Sequence, residues 1–274
     1  MSLPLAAHSR LFSKYRGEWN LGWYIGCGDG TTKDKQRVFI DEMDKVGANI
    51  AVANLMNEDI NTVFSGEYMN SPYDQRKIDQ LAQFYGMLKA RGKMMGVAFF
   101  DGPASSNPRY PFLRYWDRHA AFMQQVTPAL APYVDVFFVG IETNRYASIT
   151  AVEDAIDVIT PLACRIDPKT GVRYQIPVAA HEQNVGWRNG KPYMTRRVPR
   201  NASFAGLETS NHPFDGDNRS VSQMCQEAEC VVNSMGDGRG VWVMESNAFD
   251  SQRARQQNNA MARMPGGIGI DGVM

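Results

Sequence analysis

Short apolar runs alternate with longer amphipathic ones along the whole chain. The short runs cover residues 21–26, 49–55, 94–100, 134–141, 174–180, 204–208, 240–245 and 266–270, and their length and Val, Ile and Phe content predict strands. Between them, 32–46, 72–90, 112–130, 149–166, 221–234 and 251–264 place apolar residues at helical spacing. Ser71-Pro72 offers an N-cap followed by a first-turn proline, and Gly47 and Gly92 follow their helices closely. The fifth connection, 184–202, holds Gly186, Gly190, Pro192 and Pro199 and is poor helix material, so a long loop bordering the strand tips is expected there.

Strand–helix repetition at this spacing predicts a parallel sheet, and eight units of it predict one (β/α)8 barrel spanning 1–274 as a single domain. The rival is an open doubly wound sheet. Its nucleotide-binding form is disfavoured because Gly26-Cys27-Gly28-Asp29-Gly30 lacks both the third glycine of GxGxxG and the Lys-Ser/Thr of a phosphate loop. The eighth run ends four residues before the C-terminus, which leaves no eighth helix. Residues 3–15 read as helical and are expected to fill that gap; the alternative is that the chain is a fragment of a longer protein.

Composition narrows the function classes. In 274 residues, Lys plus Arg and Asp plus Glu balance at 29 each, so net charge cannot recruit nucleic acid or an anionic membrane. No window approaches a membrane span, and the first residues lack the apolar stretch of a secretory signal, which predicts a soluble chain. Cys27, Cys164, Cys225 and Cys230 form no CxxC pair or zinc spacing and read as free thiols. No cofactor is implied.

In a barrel, side chains at the C-terminal strand ends share one mouth. Asp29, Glu58, Asp101, Glu142, Glu182, Glu208, Glu245 and Asp271 all follow apolar runs, joined by His181 and His212. Taken singly, most such carboxylates are solvated rim or helix caps. Glu142 and Glu245 differ: each comes directly off its run, VFFVGI and VWVM, with no turn residue between, so strand geometry should aim it. Alternation puts Glu142 on the face of Phe138 and Gly140, and Glu245 on the face of Val241 and Val243; both acids enter the mouth if those faces point inward. Trp242 would then lie between sheet and helices. Trp23, Tyr24, Phe100, Tyr146, Trp187 and Phe249 stand where flat faces can stack on sugar rings, with Asn211, His212 and Asn247 as polar partners.

With these two Glu positions, and with FIDEMDKVGANIAVANL and YDQRKIDQLAQFYGMLKARGKMMGVAFFDGP in matching order, the chain resembles the clan A glycoside hydrolases, retaining (β/α)8-barrel enzymes. The resemblance implies Glu142 as acid/base at the end of strand four and Glu245 as nucleophile at the end of strand seven. It implies a carbohydrate substrate, with Asp101, His181 and Glu208 among the mouth residues that would contact it. The chain departs from the family in having Ile141 where Asn usually precedes the acid/base, and Asn144 is the candidate to replace that contact. Two other classes remain. A divalent-metal barrel would use His181, His212 and Asp271, or Glu182 and His212 beside the IETNRY and VMES segments. A non-catalytic carbohydrate-binding barrel would keep the Glu pair for hydrogen bonding alone. Arg188, Lys191, Arg196, Arg197 and Arg200 make 184–202 basic, and an acidic sugar gains support if they line the mouth.

Overall fold

The computed structural model describes residues 15–18, 32–46, 48–55, 75–100, 116–208, 220–244, 256–257, 259–261 and 263–271. The first half runs β1 (Tyr15–Glu18), α1 (Thr32–Val46), β2 (Ile50–Asn54), α2 (Gln75–Ala90), β3 (Met94–Phe100), α3 (Trp116–Leu130), β4 (Val136–Gly140) and α4 (Ile149–Ile159). A hairpin β5–β6 (Cys164–Ile166 and Arg173–Gln175) follows, then β7 (Val178–Ala179), β8 (His181–Glu182) and a hairpin β9–β10 (Val185–Arg188 and Lys191–Met194). The chain continues through β11 (Ala205–Glu208), α5 (Val221–Met235), β12 (Val241–Met244) and β13 (Gly267–Asp271). No described helix is long and apolar enough to cross a membrane.

The main sheet is ordered β7-β4-β3-β2-β1-β13-β12-β11-β8, and every ladder in it is parallel. Its two outermost members, β7 and β8, are separated in the chain by Ala180 alone. They are one strand, which pairs with β4 through Val178 and Ala179 and with β11 through His181 and Glu182. The sheet therefore closes on itself as an eight-stranded barrel.

Side-chain alternation then sorts two cores. Ile50, Val52, Ala98, Val136, Phe138, Ala179, Phe204 and Trp242 fill the barrel. Their chain neighbours Ala51, Val97, Phe137 and Val178 pack outward under the helices, with Phe39 of α1, Phe84 of α2, Phe122 of α3 and Ile156 of α4. Leu207, Val241 and Val243 meet Met224, Ala228 and Val231 of α5. Burying each large side chain contributes about 1.5–3 kcal/mol. Gly96 belongs to the inner layer because a Cβ there would stand 3.0 Å from Val136 and 3.2 Å from Val52. At the opposite end from the mouth, buried Asp135 locks the entry to β4: it accepts from the Met95 amide at 3.0 Å, Lys89 at 2.9 Å and Arg165 at 3.2 Å.

Four expectations are corrected. The first strand is Tyr15–Glu18, fixed between β13 and β2 by the registers Tyr15 to Gly269 and Gly17 to Ile50, so Tyr15 does not end a helix. Residues 1–14 and 21–26 lie outside the described residues. The helix expected over 149–166 stops at Ile159, because Pro161 cannot continue the ladder, and Cys164–Ile166 is a strand. The loop expected at 184–202 is largely the β9–β10 hairpin, turned by Asn189-Gly190 with both φ angles positive, 52° and 73°, as the tightest hairpin turn requires. Trp242 is not between sheet and helices; it fills the barrel against Phe138 and Phe204, at ring-centroid distances of 5.6 and 6.0 Å.

Candidate active site

β4, the strand formed by β7 and β8, and β11 all end on one side of the barrel, and their last residues supply the site. β4 ends at Gly140, where no side chain fits: a Cβ would collide with the Tyr146 hydroxyl and lie 2.8 Å from the Phe100 carbonyl. Glu142 does not keep strand geometry, as its position directly after the run had suggested. It adopts the left-handed region at φ 49° and ψ 40° and opens a 3-10 turn over Thr143–Arg145. That conformation is unfavourable for a residue with a Cβ, by about 1–2 kcal/mol. Non-glycine residues held this way concentrate at functional sites. The turn is nonetheless well held: the Arg145 amide donates to the Glu142 carbonyl at 2.9 Å, and the Thr143 hydroxyl donates to the His181 carbonyl at 3.2 Å.

Four side chains converge there. The Arg145 Nη2 lies 2.6 Å from Glu142 Oε1 and 3.6 Å from Glu208 Oε1, so two buried carboxylates share one guanidinium nitrogen. His181 is fully buried, and its Nδ1 accepts from the Glu142 amide at 3.3 Å. Burial pushes its imidazole down to about 3, with Arg145 adding to the effect, so the ring is neutral. With Nδ1 accepting, the ring proton sits on Nε2, which faces Glu208 Oε2 at 3.9 Å, beyond hydrogen-bond range.

Behind this group, Glu182 is buried against the Thr143 hydroxyl at 3.1 Å and Arg196 Nη2 at 3.0 Å. Burial pushes its carboxyl up to about 7, against the opposing pull of Arg196 and Thr143. Arg196 also donates to the Ala147 carbonyl at 2.7 Å, which ties the β9–β10 segment to the turn carrying Glu142.

The structure thus brings together Glu142, His181 and Glu208 from the expected set. Asn144 is adjacent, but its Oδ1 accepts from the Gln183 amide at 2.8 Å and so braces the end of β8. Tyr146 folds back over Gly140. Trp187 stands elsewhere: on β9 it donates from Nε1 to buried Glu227 of α5, outside the barrel. Of the basic residues of this segment, Arg197 pairs with Glu153 and Arg188 lies over the Tyr193 ring, whereas Arg196 reaches Glu182.

Val241 and Val243 face α5, so the face on which alternation put Glu245 is the outer one as far as Val243, the inner one being taken by Trp242. Glu245 itself, Trp23, Asp101, Asn211, His212 and Asn247 lie outside the described residues. Among the described residues no three His, Cys, Asp or Glu side chains are grouped to hold a metal ion. Glu182, one proposed ligand, is occupied by Arg196. The sequence reading passed over Arg145; its spacing of three from Glu142, across one turn, was the available signal.

No protein-family model and no curated protein matches the chain. Solved structures do. The β-1,4-D-mannanase from Cryptopygus antarcticus aligns over 95% of this chain and 84% of its own, with 10% identity and a TM-score of 0.63. GH5_18 from Streptomyces cattleya, in complex with GlcNAc, aligns over 94% and 69% with 15% identity and a TM-score of 0.60. An endo-fucoidan hydrolase of glycoside hydrolase family 107 aligns over 98% and 87% with 10% identity and a TM-score of 0.58. Likeness at these identities establishes that the chain shares its (β/α)8 fold with glycoside hydrolases.

Proposed function

We propose that this chain is a retaining glycoside hydrolase that cleaves a β-glycosidic bond in an oligo- or polysaccharide, with Glu142 as acid/base and Glu245 as nucleophile. The observation that carries the proposal is Glu142 itself: a buried carboxyl in a strained left-handed conformation at the C-terminal end of a barrel strand, beside a second buried carboxylate. A fold shared with a mannanase, an endo-fucoidan hydrolase and a GlcNAc-bound protein supports a carbohydrate substrate.

The reaction needs one carboxyl to protonate the leaving oxygen and one carboxylate to attack the anomeric carbon, roughly 5–5.5 Å apart in retaining enzymes. Glu142 gives its proton to the glycosidic oxygen as the C1–O bond breaks and Glu245 forms an ester to C1. Glu142, now a carboxylate, takes a proton from water as that water attacks C1 and releases Glu245. The products are two sugar ends and a regenerated pair.

The test is a screen of aryl β-glycosides, β-mannan and β-glucan, followed by product stereochemistry by NMR. Glu142→Ala should lower turnover about 10²- to 10⁴-fold. Azide should then rescue that variant as a β-glycosyl azide, because it attacks the glycosyl ester from the face Glu142 has vacated. Glu245→Ala should abolish turnover, and azide should restore no retained product. An inverted wild-type product, or a fully active Glu142→Ala, overturns the proposal.

A further inference from the structure

Arg196 grips the turn that carries Glu142 at both of its ends, and this carries an inference that rests on the reading of Glu142 as the acid/base. The turn closes on itself through the Ala147 amide, which donates to the Thr143 carbonyl at 2.9 Å. At the Ala147 end, Arg196 Nη1 donates to the carbonyl at 2.7 Å. At the Thr143 end the grip is indirect: Arg196 Nη2 is ion-paired with Glu182 Oε1 at 3.0 Å, and the same oxygen meets the Thr143 hydroxyl at 3.1 Å. Both relays are fixed in place. The Glu182 side chain is 1% exposed, and the chain beside Arg196 is anchored by the Thr195 amide, which donates to the Asn184 carbonyl at 2.9 Å.

We propose that Arg196 is a positioning residue for the reaction: by holding Ala147 directly and Thr143 through Glu182, it keeps the Glu142 backbone left-handed and the Glu142 carboxyl where the leaving oxygen receives its proton. The left-handed conformation, at φ 49° and ψ 40°, is one that a residue with a Cβ leaves downhill unless its surroundings impose it. The turn around it is short, so slack at either end is passed to Glu142. A shift of about 1 Å at a reacting group can lower the rate about 10²-fold, which makes the hold on the backbone matter to the chemistry. Arg196 touches none of Glu142, His181 or Glu208 in this arrangement; its two contacts are Ala147 and Glu182. Its effect therefore reaches the sugar only through the turn. The basic β9–β10 segment enters function through this one arginine, while Arg197 is engaged by Glu153 and Arg188 by the Tyr193 ring.

The test is a double-variant cycle on the full chain with the glycoside found above. Arg196→Ala should lower kcat about tenfold or more, with KM changed less than about threefold, because it touches the acid and not the sugar. In a Glu142→Ala background the same substitution should lower kcat by less than about twofold, since no carboxyl is left to position. A merely structural role for Arg196 predicts equal losses in the two backgrounds. An unimpaired kcat in Arg196→Ala, or equal losses, overturns the inference. If Arg196→Ala does not fold, Arg196→Lys is read in its place, because it keeps a counter-charge for Glu182 and loses the fork that reaches Ala147 at the same time. A fall in kcat that vanishes in the Glu142→Ala background supports the inference, and equal losses or no loss overturns it. The two readings fail separately. An active Glu142→Ala sinks the proposed function, whereas an essential Glu142 with equal losses sinks only the role of Arg196.

Discussion

His181 and Glu182 are chain neighbours, yet burial drives their ionisation in opposite directions. His181 falls from the ordinary 6.5 to about 3, so between those values the unfolded chain binds the extra proton and stability is lost as pH falls. Glu182 rises from 4.5 to about 7, so between those values the folded chain holds the extra proton and stability is lost as pH rises. Each slope reaches at most about 1.4 kcal/mol per pH unit. Between pH 4.5 and 6.5 the two oppose each other. Single variants should unmask them in Tm measurements across that window. Glu182→Gln should make Tm rise with pH, and His181→Gln should make it fall. Parallel profiles for wild type and both variants would refute the assignment. Nothing in the residue types announces this pair: both follow an apolar run, and only the barrel's closure determines that His181 points inward and Glu182 towards Arg196.

Among the elements, the β9–β10 hairpin follows the fifth strand where the repeat would put a helix, and its Trp187 docks on Glu227 of α5. Glu227 is fully buried, so Trp187→Phe, which keeps the ring's bulk and deletes the donor, should destabilise the protein by about 1–3 kcal/mol in urea titrations. An unchanged midpoint would show that the hydrogen bond contributes nothing net. The hairpin was legible: Asn189-Gly190 between Trp187 and Tyr193 is a turn signature, but the count of glycines and prolines pointed to a loop. β2, β3, β4 and β12 were readable because both their faces are apolar, whereas β1, with the sequence YRGE, has no apolar run to announce it; α2 was readable because Ile78, Leu81, Phe84 and Leu88 recur at helical spacing and are buried. Periodicity fails where both faces of a strand are buried. Val241, Trp242 and Val243 are all apolar, so the sequence contains no contrast to say which face is the interior.

At the scale of the whole molecule, the barrel is closed by a strand that changes partner midway. Val178 and Ala179 are in register with β4, and His181 and Glu182 with β11, with Val178 also held by Ser203 just ahead of β11, whereas β2 and β3 share five consecutive registered pairs. Opening the cylinder along this line breaks a much shorter zipper than anywhere between β2 and β4. The amide protons of 178–182 should therefore be replaced by deuterium sooner than that of Val97, which lies between β2 and β4, and equal protection of the two would contradict this. The same residues bear His181, which braces the Glu142 amide. A sugar wedged between the ends of β4 and β11 would act as a rivet across this line, so the exchange rate at 178–182 reports occupancy of the mouth without any bond being cleaved.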